Sequence, residues 1–277
     1  MTNVSKVWFI TGVSRGLGKL LAEHALSQGD KVIGTARDGG ADESLREQGD
    51  FHVLPLEVTD KVQVVSTVQQ AKSIYGRLDV VVNNAGYGLL GAVENASEPE
   101  SERVFGVNFF GVLNVIQAAL PMLREQRSGY IVNISSIAGL APGAGSGIYA
   151  AAKSAVIGLS ESLAQEVAEL GIKVMVVEPG AFRTDFLSDH SIRQSAQTIR
   201  DYEPGVYAKA GAMKATAGQQ KGDPAKAAAV IWEAIASTTP PLHLVLGPDA
   251  LKRTRDKLAK LNADMAAWEA LASGTDF

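Results

Sequence analysis

Tyr149 and Lys153, four positions apart, are the two side chains of this sequence best placed to move a proton. On a helix such a pair shares one face, one turn apart. A free phenol has a pKa of about 10, and each tenfold gain in acidity needs about 1.4 kcal/mol of preference for the phenolate. An ammonium close by in a partly desolvated site supplies a preference of that size. The spacing therefore predicts a phenol that gives and takes protons near neutral pH. Ser135 and Ser136 stand upstream, before a segment rich in Gly, Ala and Pro. An ordinary helix with a surface lysine shows the same Tyr-x-x-x-Lys spacing, so the pair takes its meaning from what positions it.

The first positioning element is near the start of the chain. Lys6 to Ile10 is β-rich and apolar, as a central parallel strand covered on both faces would be. Thr11-Gly12-Val13-Ser14-Arg15-Gly16-Leu17-Gly18 follows, then helical spacing at Leu17, Leu20, Leu21 and Leu26, with Gly29 where a helix would end. Strand, glycine turn and helix form the context that binds a dinucleotide. Gly12 permits the tight turn, Gly16 lets backbone approach a pyrophosphate, and Gly18 lets helix and strand pack closely. A glycine turn without a ligand is the plainer alternative. Lys31 to Thr35 reads as a second strand, and its tip carries Ala36, Arg37 and Asp38. An acidic residue there would hold a ribose 2′-hydroxyl. Arg37 together with Arg15 instead favours a phosphate dianion, so NADP(H) is expected over NAD(H). Asp38 pulls the other way, and one or both arginines could simply face solvent.

The rest of the chain repeats the alternation. Val53 to Leu56 is a third expected strand, ending at Glu57-Val58-Thr59-Asp60. Asp60 should cap a helix through Ile74 with Val64, Val65 and Val68 inward. Leu78 to Val82 runs as a strand into Asn83-Asn84-Ala85-Gly86, either a loop passing close to a ligand or an asparagine turn. Ser97-Glu98-Pro99-Glu100 reads as a helix start. Val104 to Leu123 contains no charge, but Asn108, Asn114, Gln117 and Pro121 mark it as a buried helix rather than a membrane span. Asn108, if buried, must be hydrogen-bonded, whether as a polar plug or as a working group. Tyr130 to Ser135 and Lys173 to Val177 are further strands. Between them the Tyr149 helix runs to about Leu170, with Gly171 as its cap.

Alternating strands and helices predict an α/β fold, a Rossmann-type doubly wound parallel sheet of about seven strands in a three-layer αβα sandwich. One domain, residues 1–277, accounts for the length. Residues 185–222 are polar and read as strand-free, which suits a substrate-binding loop or lid. Asp223-Pro224 caps another helix, Leu242 to Leu246 is the last strand, and 248–277 is a helical C-terminal extension. Its Leu251, Leu258, Leu261 and Trp268 predict docking on the body or on a second subunit.

Composition narrows the function. The net charge is −4 and no Lys/Arg run stands out, so a nucleic-acid partner is not expected. With no cysteine, disulfides, thiolate metal sites and cysteine nucleophiles are excluded, and a reducing compartment is compatible. No metal is expected. The apolar run Val7 to Ile10 is too short for a signal peptide, and the expected location is cytoplasmic.

The motifs Thr11-Gly12-x-x-x-Gly16-x-Gly18, Asn83-Asn84-Ala85-Gly86, Asn108, Ser136, Tyr149-x-x-x-Lys153 and Pro179-Gly180 with Thr184 occur here in that order. In this the chain resembles the short-chain dehydrogenase/reductases over nearly its whole length. Pro179 to Phe186 and the extended C-terminus resemble the branch with 17β-hydroxysteroid- and retinol-type dehydrogenases. The resemblance implies that Tyr149 is general acid in carbonyl reduction and base in alcohol oxidation. Lys153 would lower its pKa and bond the nicotinamide ribose. Ser136 would hold the substrate oxygen, and Asn108 a water relaying protons from Lys153. It places the cofactor against Gly12, Ser14, Arg15, Gly16, Leu17, Gly18, Arg37, Glu57, Val58, Asn84, Ala85, Gly86, Tyr149, Lys153, Pro179, Gly180 and Thr184. Glu57 departs from the Asp common near the adenine. A fairly apolar carbonyl or alcohol substrate is expected from Leu140, Ala141, Pro142, Phe182, Phe186 and Leu187. Homodimers or homotetramers are implied. A nucleotide-sugar epimerase or dehydratase, an NAD-linked alcohol dehydrogenase and a non-catalytic dinucleotide sensor are the alternatives.

Overall fold

The computed structural model of the chain describes residues 5–40 and 43–277. Its elements run β1 (Val7–Thr11), α1 (Gly16–Ser27), β2 (Lys31–Ala36), α2 (Ser44–Glu47), β3 (Phe51–Pro55), α3 (Lys61–Tyr75), β4 (Val80–Asn83) and β5 (Gly88–Leu90). Then come α4 (Glu98–Phe105), a π-helical turn (Gly106–Phe110), α5 (Gly111–Gln126), β6 (Gly129–Ile134), α6 (Ile137–Leu140), α7 (Gly147–Val167) and β7 (Ile172–Pro179). The chain finishes with β8 (Ile192–Gln194), α8 (Ala208–Ala215), α9 (Pro224–Ala236), β9 (His243–Leu246) and α10 (Pro248–Ala272).

Seven strands form one parallel sheet in the order β3-β2-β1-β4-β6-β7-β9. The order reverses between β1 and β4, which is where open α/β sheets leave a crevice at their carboxyl ends. One face packs on α3, α5 and α7 through Phe9, Ile33, Val64, Val115 and Val156. The other packs on α1 and α9 through Trp8, Ile10, Leu21, Val82 and Ile231. Each fully buried side chain of this kind contributes about 1.5–3 kcal/mol. The strands of a sheet covered on both faces must be apolar on both, which is why β1 is buried throughout.

Asp30 ties the two ends of the fold together. Its buried carboxylate accepts from the indole N–H of Trp8 on β1 and of Trp232 on α9, both at 2.9 Å, and from the backbone N–H of Lys6 at 2.8 Å. Helix ends follow the expected chemistry. Asp60 accepts from the N–H groups of Val62 and Gln63, and Ser97 with Glu100 forms a reciprocal capping box. The uncharged run lies within the continuous helix Glu98–Gln126, which is long and apolar enough to cross a membrane by length and composition alone. It packs on the sheet instead, with Val104, Val112, Val115, Ile116 and Leu123 buried.

Two expectations need correction, and a third is narrowed. Residues 185–222 are not strand-free: β8 pairs in parallel with β5 as a small second sheet, and α8 follows it. Val65 does not face inward, because it sits about 100° round the helix from Val64 and is 42% exposed. Of the two docking places expected for the apolar positions of α10, the body is ruled out and a second subunit is left, since Leu258, Leu261 and Trp268 are all exposed on the single chain.

Candidate active site

The site is assembled at the carboxyl edge of β1, β4, β6 and β7. The turn after β1 carries Gly16 with φ +63°, a left-handed backbone that favours glycine. A Cβ on Gly18 would collide with the Asn84 amide and the Gly12 carbonyl. The Asn84 amide donates to the carbonyls of Thr11 and Gly12, each at 2.9 Å, and so locks the glycine turn to the loop after β4. Thr11 completes the lock: its hydroxyl accepts from the N–H groups of Asn84 and Ala85. Arg15 stands at the N-cap of α1 without a capping side chain, and no acidic residue occupies the first turn. The first N–H groups of α1 are thereby left for an anion.

Ser136 follows β6, and its hydroxyl accepts from the N–H of Ala138 at 3.1 Å, which opens the short α6. Tyr149 and Lys153 lie on α7, both buried. Burial pushes the Tyr149 phenol up to about 12, against a weaker downward pull from its hydrogen bond with Ser136. Burial also pulls the Lys153 ammonium down to about 8. Its Nζ donates to the carbonyl of Ile134 at 2.8 Å and stands 6.0 Å from the Tyr149 ring centre. The phenol thus moves in the opposite direction to the one the four-residue spacing predicts. Desolvation outweighs the one downward pull on the phenol, from Ser136, while the ammonium is itself desolvated and donates to a strand end.

Asn108 lies on the π-helical turn and is fully buried. Its amide donates to the carbonyls of Tyr87 and Val104, and its Oδ1 accepts from the N–H of Tyr87 at 3.2 Å. A Cβ on Gly86 would lie 2.6 Å from Asn108 Oδ1 and 3.4 Å from Lys153 Nζ, so the two groups flank one small space.

A cleft of about 1060 Å³ runs over these residues. Ser14, Leu17, Val58, Ala85, Pro179, Gly180 and Thr184 line it together with Gly12, Gly16 and Asn84, as do Ser136, Tyr149 and Lys153. Gly18 and Asn108 lie beneath its surface. Arg37 lines it at the tip of β2, and Asp38 folds into its own turn by accepting from the N–H of Gly40 at 3.0 Å. Arg15 lines the same cleft as Arg37. Its guanidinium donates to Ser191 Oγ and to the His190 carbonyl, both at 3.3 Å, and so binds the glycine turn to the 185–222 segment. Glu57 is also partly engaged, since its Oε1 accepts from the Thr59 N–H and hydroxyl. Leu89, Leu90, Phe182, Phe186 and Leu187 form an apolar wall, with the Phe186 ring 5.9 Å from that of Tyr149.

Several contributors escaped sequence reasoning. Ser135 donates to the Lys153 carbonyl at 2.9 Å and fixes α7 beside β6. Asp249, on the first turn of α10, accepts from the Ala181 N–H and pins the loop after β7. An acid directly after Pro248 was visible as a helix-start signal, but its partner 68 residues upstream was not.

Residues 6–195 match the family described as short chain dehydrogenase. The chain is 40% identical to "Oxidoreductase BOA17" of Botryotinia fuckeliana over 97% of its length and 98% of that protein. It is 38% identical to a 3-ketodihydrosphingosine reductase of Bacteroides thetaiotaomicron, covering 88% of each. Among solved structures, a short-chain dehydrogenase from Streptomyces avermitilis superposes with a TM-score of 0.90 at 39% identity, covering 99% of this chain and 100% of that one. One from Burkholderia phymatum, in complex with NAD, gives a TM-score of 0.84 at 26% identity over 94% and 95%. Likeness of this extent, in sequence and in fold together, makes the chain a member of the short-chain dehydrogenase family of oxidoreductases.

Proposed function

We propose that the protein is an NADP(H)-dependent reductase of a fairly apolar ketone or aldehyde, with Tyr149 as the proton donor. The observation that carries this reading is the buried Tyr149 phenol, hydrogen-bonded to the half-buried Ser136 hydroxyl, in a cleft whose walls continue into the glycine turn. The residues present suit a dinucleotide. The uncapped start of α1 offers donors to a pyrophosphate, and Asp38, beside Arg37 at the tip of β2, is turned into its own loop. The bound nicotinamide supplies the hydride.

The chain's own part is binding and proton delivery. Ser136 and Tyr149 together offer hydroxyl donors to a carbonyl oxygen and stabilise the charge that develops there. Burial keeps the Tyr149 phenol protonated at neutral pH, the form from which carbonyl reduction starts. Lys153, with Asn108 Oδ1 across the same small space, is placed to return a proton through a water. The Leu89, Leu90, Phe182 and Phe186 wall excludes solvent and selects apolar substrates.

Two measurements test this. Tyr149→Phe should abolish NADPH-linked reduction across a panel of ketones and aldehydes while nucleotide binding, followed by fluorescence, stays within about twofold. Retained turnover removes Tyr149 from the mechanism. Arg37→Ala should weaken NADPH binding by about ten- to a hundredfold, the loss of a charge-assisted hydrogen bond, and leave NADH binding unchanged. Equal losses for both nucleotides sink the preference for NADP(H). Nucleotide binding without turnover of any carbonyl in the panel favours a sensor.

A further inference from the structure

The last helix leaves the body after its first turn. Ala250 is buried, and Asp249 and Arg253 reach the body through the Ala181 N–H and the Ala141 carbonyl. From Arg255 to Ala272 every residue is exposed. Most of a helix's stability in a protein comes from packing of an apolar face, and on the single chain this stretch packs against nothing among the described residues. Its sequence is not that of a solvated helix either. Leu251, Thr254, Leu258, Leu261, Met265 and Trp268 advance by alternate steps of three and four. That 3.5-residue period is the seam of a coiled coil, narrower than the stripe a helix turns to a globular core.

Charge selects the partner. Residues 252–260 carry five basic side chains and one acidic, whereas residues 261–277 carry three acidic and none basic. In a parallel pair the flanking Asp264 would face the partner's Glu269, like against like. Reversed, Lys257 faces the partner's Asp264, and by symmetry the contact forms twice. The same reversal sets Leu258 on the partner's Leu261, Thr254 on the partner's Met265 and Leu251 on the partner's Trp268. We propose that α10 is an antiparallel zipper that joins this chain to a second copy of itself. This interface is separate from the faces of the central sheet and independent of the reading of the cleft.

The chain has no cysteine, so the double variant Lys257→Cys/Asp264→Cys carries the sole thiols. On mild oxidation of the full chain it should give a covalent dimer on a non-reducing gel, while Lys257→Cys alone stays mostly monomeric there. By sedimentation velocity, Leu258→Glu/Leu261→Glu should have half the wild-type mass or weaken assembly at least tenfold. Lys257→Asp should weaken it too, and adding Asp264→Lys should restore it. All these positions are exposed, so nucleotide binding serves as the check that the body is folded. Absence of the crosslink together with an unchanged mass overturns the proposal. So does α10-dependent binding to vesicles of phosphatidylserine and phosphatidylcholine by a chain whose mass the seam variant leaves unchanged, because the face would then belong to a membrane.

Discussion

Replacing Lys153 by methionine should make the protein more stable and inactive at once. The ammonium is buried, donates to the Ile134 carbonyl, and pairs with no carboxylate among the described residues. Its fall from 10.5 to about 8 corresponds to roughly 3 kcal/mol of preference for the neutral amine. At pH 7 the folded chain carries that cost, because the lysine is charged in both states. Methionine has similar length and no charge to desolvate. It forfeits the ammonium's bond to Ile134, worth about 1.5–3 kcal/mol, so the net gain is at most about 1.5 kcal/mol at pH 7. Between pH 8 and 10.5 the unfolded wild-type chain holds a proton that the folded chain has released. Wild-type stability therefore rises through that window, and the advantage of the variant shrinks towards zero or below by pH 10. Urea unfolding of both proteins without nucleotide, at one protein concentration and at pH 7 and 10, measures this directly. NADPH-linked reduction supplies the activity. A variant less stable than wild type at pH 7, or an advantage that does not shrink at pH 10, refutes the picture of Lys153 as an uncompensated buried charge.

Gly18→Ala should destabilise the fold by about 1–3 kcal/mol, since its methyl meets the Asn84 amide and the Gly12 carbonyl; chemical denaturation and nucleotide titration should report parallel losses. Arg15→Ala should speed hydrogen exchange over residues 188–195, because it removes the bonds to Ser191 and His190. Unchanged exchange would mean that those bonds do not restrain the segment. Ser97→Ala should cost about 1 kcal/mol through the lost capping box, read as a shift in the urea midpoint.

Much of the architecture could be read from residue order. Runs such as Val7 to Ile10 and Lys173 to Val177, apolar and bounded by glycine or proline turns, carry their period and their boundaries locally. The small β5–β8 sheet could not be read this way. Gly88–Leu90 is three residues long and opens with glycine, and its partner lies about a hundred residues downstream, so no local period marks either strand. Val65 failed for a different reason: three valines within five positions fix a helix but leave the edge of its buried stripe open. In the cleft, Gly16, Ser136 and Tyr149 were legible because their chemistry is tied to type and spacing. The direction of the Tyr149 shift was not, since desolvation depends on what covers the phenol rather than on what stands four residues away. Arg15 shows the same limit, being drawn to a segment 175 residues downstream.

The contact at Asp30 also makes the protein its own optical instrument. Of three tryptophans, Trp8 and Trp232 share that one carboxylate, while Trp268 stands 64% exposed on the terminal helix. Their emission divides into a shielded component that reports whether the first strand and the ninth helix are joined, and a component on α10 that a dissolved quencher such as acrylamide reaches only while that helix is unpaired. Trp268→Phe isolates the first without touching the core. Quenching of wild type minus that variant then follows the terminal helix alone, in one cuvette and with no added label.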